Sequence, residues 1–391
     1  MRRATLSTLP AVAVEPEPAI AVSRLSLTEF RCFARAVLEP DARPVVLTGP
    51  NGAGKTNLLE ALSLLTPGAG LRGARLAELT RRQAGPAARW AVAASVETAR
   101  GLVDIGTGLA STGGEQRRVV QIDGRPARSQ AALAEAVCAL WLTPPMDRLF
   151  LDGAAPRRRF LDRLVFGFDA GHAARLAAYQ RALRERAGLL RDAPADPAWL
   201  KALEGAMAAN GVAVAAARRA MVRRLGRVLG DGVGPFPGAE VRLEGSVEAW
   251  LDEMPAVDAE ARFAAALAAS RRHDGEAGGA AQGPHRTDFV VRHRALAVPA
   301  AQCSTGEQKA LLIAIVLAAA RLRAVERGAA PLLLLDEVAA HLDAEHRAAL
   351  FDAICASAAQ AWMTGTDRAT FATLGARAQF FVVGQGRVTA A

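Results

Sequence analysis

The residues best equipped for chemistry form one uninterrupted run. Gly49-Pro50-Asn51-Gly52-Ala53-Gly54-Lys55-Thr56 has the spacing G-x-x-x-x-G-K-[ST]. Glycines in such a run let successive backbone N–H groups close around phosphate oxygens, and the start of the next helix adds partial positive charge. Lys55 is expected to reach the outer phosphates of ATP, and the Thr56 hydroxyl to ligate Mg²⁺, with Asn57 opening the helix beside them. Alone, the pattern is weak, and its context gives it weight. Pro44–Thr48 reads as a strand running into the loop, and Asn57–Leu65 as a helix leaving it. Lys55 also stands out by composition: with Lys201 and Lys309 it completes the lysines of a chain whose other basic residues are all arginine.

Two more elements complete a nucleotide site. Leu332-Leu333-Leu334-Leu335-Asp336-Glu337 is an apolar strand of the buried, parallel kind that ends in two carboxylates. Asp336 would hold Mg²⁺ through water, and Glu337 would orient or deprotonate the attacking water. Upstream, Ser304-Thr305-Gly306-Glu307-Gln308 opens a long apolar helix, and a helix N-terminus with Ser304 and Gly306 is a second anion site. One phosphate loop already serves one ATP, so this second site makes sense if the ATP belongs to another copy of the chain. With Ala340-His341-Leu342-Asp343 after Glu337, the set resembles the signature and D-loop of ABC-type ATPases. That resemblance implies one ATP sandwiched between two protomers.

These residues must be positioned by an α/β fold, an ABC-type head in which helices flank a mixed sheet. Strand-like stretches are expected at Leu25–Phe30, Trp90–Val96, Leu102–Ile105, Arg118–Ile122, Phe289–His293, Ala361–Thr364 and Gln379–Val383. Helices are expected over 157–191, 197–230, 257–273, from Gly306 to about Arg323, and over Ala344–Ala356. The division that follows is a disordered extension at 1–22, a head lobe at 23–146, a compact, mostly helical arm inserted at 147–282, and a second head lobe at 283–391.

Bulk properties narrow the setting. The excess of 48 Lys+Arg over 39 Asp+Glu points to a polyanion such as DNA, though a basic surface that serves solubility alone stays open. Cys32, Cys138, Cys303 and Cys355 have no metal-ligand spacing and read as reduced thiols. The longest apolar run, Ala310–Ala320, is too short to span a bilayer, so a cytoplasmic, nucleoid-associated protein without a membrane partner is expected.

The spacing discriminates among ABC-type proteins. Transporter subunits bring the signature much closer to the phosphate loop and carry a switch histidine where Thr364-Gly365-Thr366-Asp367 stands here. An OLD-type ATPase would need a nuclease domain after Glu337, for which too few residues are expected. The chain resembles the RecF family of bacterial recombination mediators from about Leu25 to Val388. The resemblance rests on Glu29-Phe30-Arg31-Cys32-Phe33, the phosphate loop, and Gly153 with Pro156-Arg157-Arg158-Arg159-Phe160-Leu161-Asp162. Gly283-Pro284-His285-Arg286-Thr287-Asp288, the signature and Asp336-Glu337 complete it. It departs in Thr143-Pro144-Pro145-Met146-Asp147, which lacks an acid after the first proline, and in Glu307, where many ABC signatures have Gln.

The resemblance implies an ATP-induced homodimer on gapped or duplex DNA near single-strand junctions, slow DNA-stimulated hydrolysis, and RecR and RecO as protein partners. Arg31 becomes a nucleotide contact or a surface arginine beside the first strand. His285 and Arg286 either touch the site or buttress the junction, with buttressing favoured. For DNA, Arg219, Arg223 and Arg227 fall on one helix face at i, i+4, i+8, and Arg157, Arg158 and Arg159 crowd the start of the arm. A single Tyr and no aromatic ladder argue against base stacking.

Overall fold

Four consecutive leucines need apolar surroundings on both faces of a sheet, and the fold supplies them. The computed structural model describes residues 20–85, 87–112, 115–191, 196–230, 232–340 and 342–391. The first part of the chain forms β1 (Ala21–Phe30), β2 (Phe33–Leu38), β3 (Val45–Thr48), α1 (Lys55–Ser63), β4 (Ala91–Thr98), β5 (Gly101–Thr112), β6 (Glu115–Ile122), β7 (Arg125–Pro126), α2 (Leu133–Ala136) and β8 (Ala139–Leu142). The arm follows with α3 (Ala154–Phe166), α4 (His172–Arg191), α5 (Pro197–Leu229), β9 (Ala239–Glu244), α6 (Ser246–Glu253), α7 (Ala256–Ala269) and α8 (Arg271–Ala277). The return to the head is β10 (Asp288–His293), β11 (Val298–Pro299), α9 (Thr305–Arg327), β12 (Leu332–Leu335), α10 (Ala344–Ala356), β13 (Ala361–Gly365), β14 (Gln379–Gly384) and β15 (Arg387–Ala390).

The central sheet has the order β15-β14-β3-β13-β12-β8, with only the edge strand β15 antiparallel to its neighbour. Leu333 and Leu335 of β12 enter a core shared with α9, α3 and the end of α5, while Leu332 and Leu334 enter a second core shared with α1 and β1. The strand therefore shows no polar alternation. The run Ala310–Ala320 in α9 is buried all round, as expected of a helix without a polar face. An antiparallel sheet, β2-β1-β4-β5-β6-β7, covers α1 from the other side.

The arm packs α4, α5 and α7 around Tyr179, Met207 and Phe263. At 33 residues, α5 is about 50 Å long, and its C-terminal half roots the arm in the head core. The expected boundaries move in two places. Division at residue 283 cuts a sheet, because β9 of the arm pairs along its length with β10. Residues 20–22 belong to the head: Val22 N donates to Gln360 Oε1 at 2.8 Å, and Gln360 Nε2 returns a bond to the Val22 carbonyl at 3.1 Å. The rest of the expected extension, residues 1–19, lies outside the described residues, as does His341.

Candidate nucleotide-binding site

Register in the central sheet assembles the site. Leu335 pairs with Met363 and Leu142, and Thr364 and Gly365 pair with Leu47 and Thr48. The carboxyl ends of β3, β12, β13 and β8 therefore meet along one edge, where open α/β sheets bind ligands. Gly49 leaves β3 with φ 147° so close to β14 that an added Cβ would lie 2.2 Å from the Val383 carbonyl oxygen. Only glycine fits there. Gly54 caps α1 at φ 109° with no side-chain hydrogen bond to the helix start, and while the Asn57 amide bonds to the Gly54 carbonyl at 3.0 Å, the amides of Lys55 and Thr56 stay available for a ligand.

Lys55 is buried, with 5 % of its surface exposed, and its ammonium donates to the carbonyls of Gly49 and Pro50 at 2.6 and 2.9 Å. Desolvation pulls its pKa below the ordinary lysine value, and the charges of Glu337 and Asp336 only partly oppose this. A cation held by neutral carbonyls of its own loop is short of negative charge, and phosphate would supply it. Thr56 Oγ1 donates to both Asp336 oxygens, at 2.9 and 3.0 Å. A hydroxyl beside a carboxylate suits a hard divalent cation that keeps phosphate and water as its other ligands. The described residues hold no cluster of three or more His, Cys, Asp or Glu that could hold a metal ion.

Glu337 follows with φ 49°, a left-handed backbone that turns the chain sharply after the strand. Its side chain shares a small cavity with Thr143, Pro144, Asp147, Lys309 and Asp336. Lys309 was not among the expected site residues, although the scarcity of lysine was a signal. Its Nζ donates to the Ala340 carbonyl at 2.6 Å and lies 3.9 Å from Asp147 Oδ2. Desolvation lowers its pKa against the pull of Asp147 and Glu337. The helix that begins with the signature thus reaches the segment after Glu337 in its own head.

Ser304 and Gly306 make no hydrogen bond to this site among the described residues. Both are exposed at the start of α9, where Ser304 Oγ accepts from Glu307 N at 3.3 Å and Glu307 Oε2 accepts from Ser304 N at 2.7 Å. That reciprocal capping box keeps the helix start ordered. Arg31 is engaged elsewhere. It grips Glu60 of α1 with two bonds, 2.8 and 2.6 Å, and donates to the Glu78 carbonyl, so in this arrangement it serves α1 and not the phosphate loop.

The arginines proposed for DNA divide into two groups. Arg157 clasps Asp288 at 2.7 and 2.8 Å, and Arg158 donates to the Thr287 carbonyl at 2.8 Å, so both stitch α3 to the start of β10. Arg219 is tied to the Leu251 carbonyl and paired with Asp252. Arg159, Arg223 and Arg227 are exposed, and each lacks a side-chain partner among the described residues. On α5, Arg223 and Arg227 are thus the arginines of the expected face whose side chains are not engaged within the described residues. His285 accepts from Tyr179 at 2.7 Å and donates to the Ala280 carbonyl at 2.9 Å, which makes it a buttress of the junction.

A phosphate loop and an acid pair at one sheet edge, with a separate exposed helix start and a helical insertion between them, define an ABC-type ATPase head. The model described as the RecF/RecN/SMC N terminal domain matches residues 21–387. A Mesorhizobium japonicum protein called DNA replication and repair protein RecF is 50% identical over 369 residues, covering 94% of this chain and 97% of its own. Its namesake in Rhizobium etli is 48% identical over 371 residues, covering 94% and 98%. The chain belongs to the RecF family. Among solved structures, the recombination mediator RecF with ATP in the RecFOR pathway matches with a TM-score of 0.82 at 20% identity, over 96% of this chain and 98% of that one. An Smc head domain from Pyrococcus furiosus, bound to the C-terminal domain of ScpA, reaches 0.54 at 16% identity, over 95% and 96%. Both likenesses show the fold. No helix among the described residues is long and apolar enough to cross a membrane.

Proposed function

We propose that this chain is an ATP-gated DNA clamp of recombinational repair and replication, with hydrolysis as its timer. The observation that supports this reading is that Lys55, Thr56 and Asp336 gather at one sheet edge, while Ser304 and Gly306 are exposed at the start of α9 and make no hydrogen bond to them among the described residues. Two copies related by a twofold axis would each complete the other's ATP. In that dimer Lys55 and the loop amides bind the phosphates, and Thr56 and Asp336 would hold Mg²⁺, which would neutralise phosphate charge. Glu337 orients the water that attacks the γ-phosphate.

DNA enters along the arm, where Arg223 and Arg227 meet the phosphate backbone without reading sequence. The relatives' names in DNA replication and repair support DNA as the target and the RecFOR pathway of the solved neighbours supports RecO and RecR as partners; gapped DNA near single-strand junctions is the form of DNA proposed here. Hydrolysis is slow, stimulated by DNA, and releases the clamp in the cytoplasm. Sedimentation with and without ATP is the test. Wild type should dimerise with ATP. Ser304→Arg should bind ATP near normally and stay monomeric, and a Ser304→Arg protein that dimerises as wild type does would end the sandwich model.

A further inference from the structure

At the catalytic edge, two acids depend on one hydroxyl. Thr364, near the end of β13, is fully buried. Its Oγ1 donates to Asp336 Oδ1 at 2.7 Å and accepts the N–H of Glu337 at 2.8 Å. A hydroxyl has one proton to give, so both directions are fixed: the carboxylate takes the proton and the amide takes a lone pair. Asp336 also receives the Thr56 hydroxyl. An unbroken chain of bonds thus runs from the phosphate loop through Asp336 and Thr364 to the backbone of Glu337.

Glu337 needs such a hold. Its φ of 49° is a conformation that a glutamate keeps only where its surroundings impose it. The Ala340 N–H closes the turn on the Glu337 carbonyl at 3.0 Å, and Thr364 supplies the bond to its amide. Parallel pairing of Leu335 with Met363 brings Thr364 alongside the acid pair, so its position is inherited from the sheet.

We infer that Thr364 is a positioning residue of the ATPase reaction, holding the Asp336 carboxylate and the Glu337 backbone in register through one buried hydroxyl. The inference rests on the roles proposed above for Asp336 and Glu337. Thr364→Val keeps the shape of the side chain and removes both bonds. Since groups that orient metal ligands typically contribute about 10–100-fold, kcat should fall by about that factor and half-saturation by Mg²⁺ should move to higher concentration. ATP binding without Mg²⁺ should stay near wild type, while the melting temperature should fall somewhat because the Glu337 N–H loses its acceptor. Thr364→Ser, which restores the hydroxyl, should recover most of the turnover.

Wild-type kcat and Mg²⁺ response in Thr364→Val would overturn the inference. So would a Thr364→Ser protein as slow as Thr364→Val, since the β-methyl would then matter and not the hydroxyl. If Thr364→Val folds poorly, Thr364→Cys replaces it: its weak donor should lower kcat, and unchanged kcat would overturn the idea. Glu337→Gln in the same assay separates the two levels. If Glu337→Gln turns over normally, the underlying assignment fails; if it stalls while Thr364→Val does not, only the present inference fails.

Discussion

In the arm, the buried guanidinium of Arg186 bonds to Glu204 at 3.0 Å, to Asp274 at 2.8 Å and to the Leu267 carbonyl at 2.6 Å, and Arg271 takes the other oxygen of Glu204 at 2.6 Å. In the head, the partly buried ammonium of Lys55 has two backbone carbonyls. The arm set joins α4, α5 and α8 and leaves no capacity for a ligand. A second set joins Arg218 and His172 to Asp162, with His172 Nδ1 left buried and without a hydrogen-bond partner among the described residues. There burial alone would raise the carboxyl, but the pull of Arg218 and His172 brings it down to about 2. Matched buried charges specify how helices pack, whereas an unmatched one marks where a ligand's charge is awaited.

Lys55→Met should break this contrast most visibly. It should abolish ATP binding in calorimetry and leave thermal stability unchanged or raised, because a desolvated charge disappears with it. A Lys55→Met protein that binds ATP normally would show that the ammonium is a structural charge like those of the arm. Arg186→Met should do the opposite. Leaving Asp274 buried without its cation should cost about 3–5 kcal/mol in chemical denaturation, with ATP affinity in the folded fraction intact. A loss below 1 kcal/mol would mean that the arm network is not closed in solution.

The smallest effect is expected on the exposed face of α5. Replacing Arg223 and Arg227 with Ala should weaken duplex binding alike on unrelated sequences and make the slope of log K against log salt shallower by about two units. An unchanged slope in a folded, ATP-competent double variant would move the search to Arg159.

The parts legible in the sequence were those in which motif and context coincide. The phosphate loop lies between a strand and a helix, as read, and α10 spans the expected Ala344–Ala356. The acid pair follows a strand buried on both faces. What escaped depends on partners distant in sequence. β8 has four residues, too few for periodicity, and becomes a strand through its pairing with β12. The helix expected over 157–191 is two, broken between Phe166 and His172. A spacing of i, i+4, i+8 puts three arginines on one face but cannot reveal that Asp252 waits opposite Arg219. Nor does a Thr at a strand end announce the two bonds of Thr364.

The order of the central sheet also bears on how the protein is made. β3, which carries the phosphate loop, lies between β13 and β14, both synthesised long after it, and Val22 is fastened to Gln360. At bacterial-type elongation rates of about 5–20 residues per second, β3 waits tens of seconds on the ribosome before its neighbours exist. The arm, whose core is drawn from α4 to α8, has all its own partners well before then. On a growing chain, the arm can therefore be in place while the phosphate loop is still an unpaired segment, and no nucleotide site forms until β13 and β14 have been made.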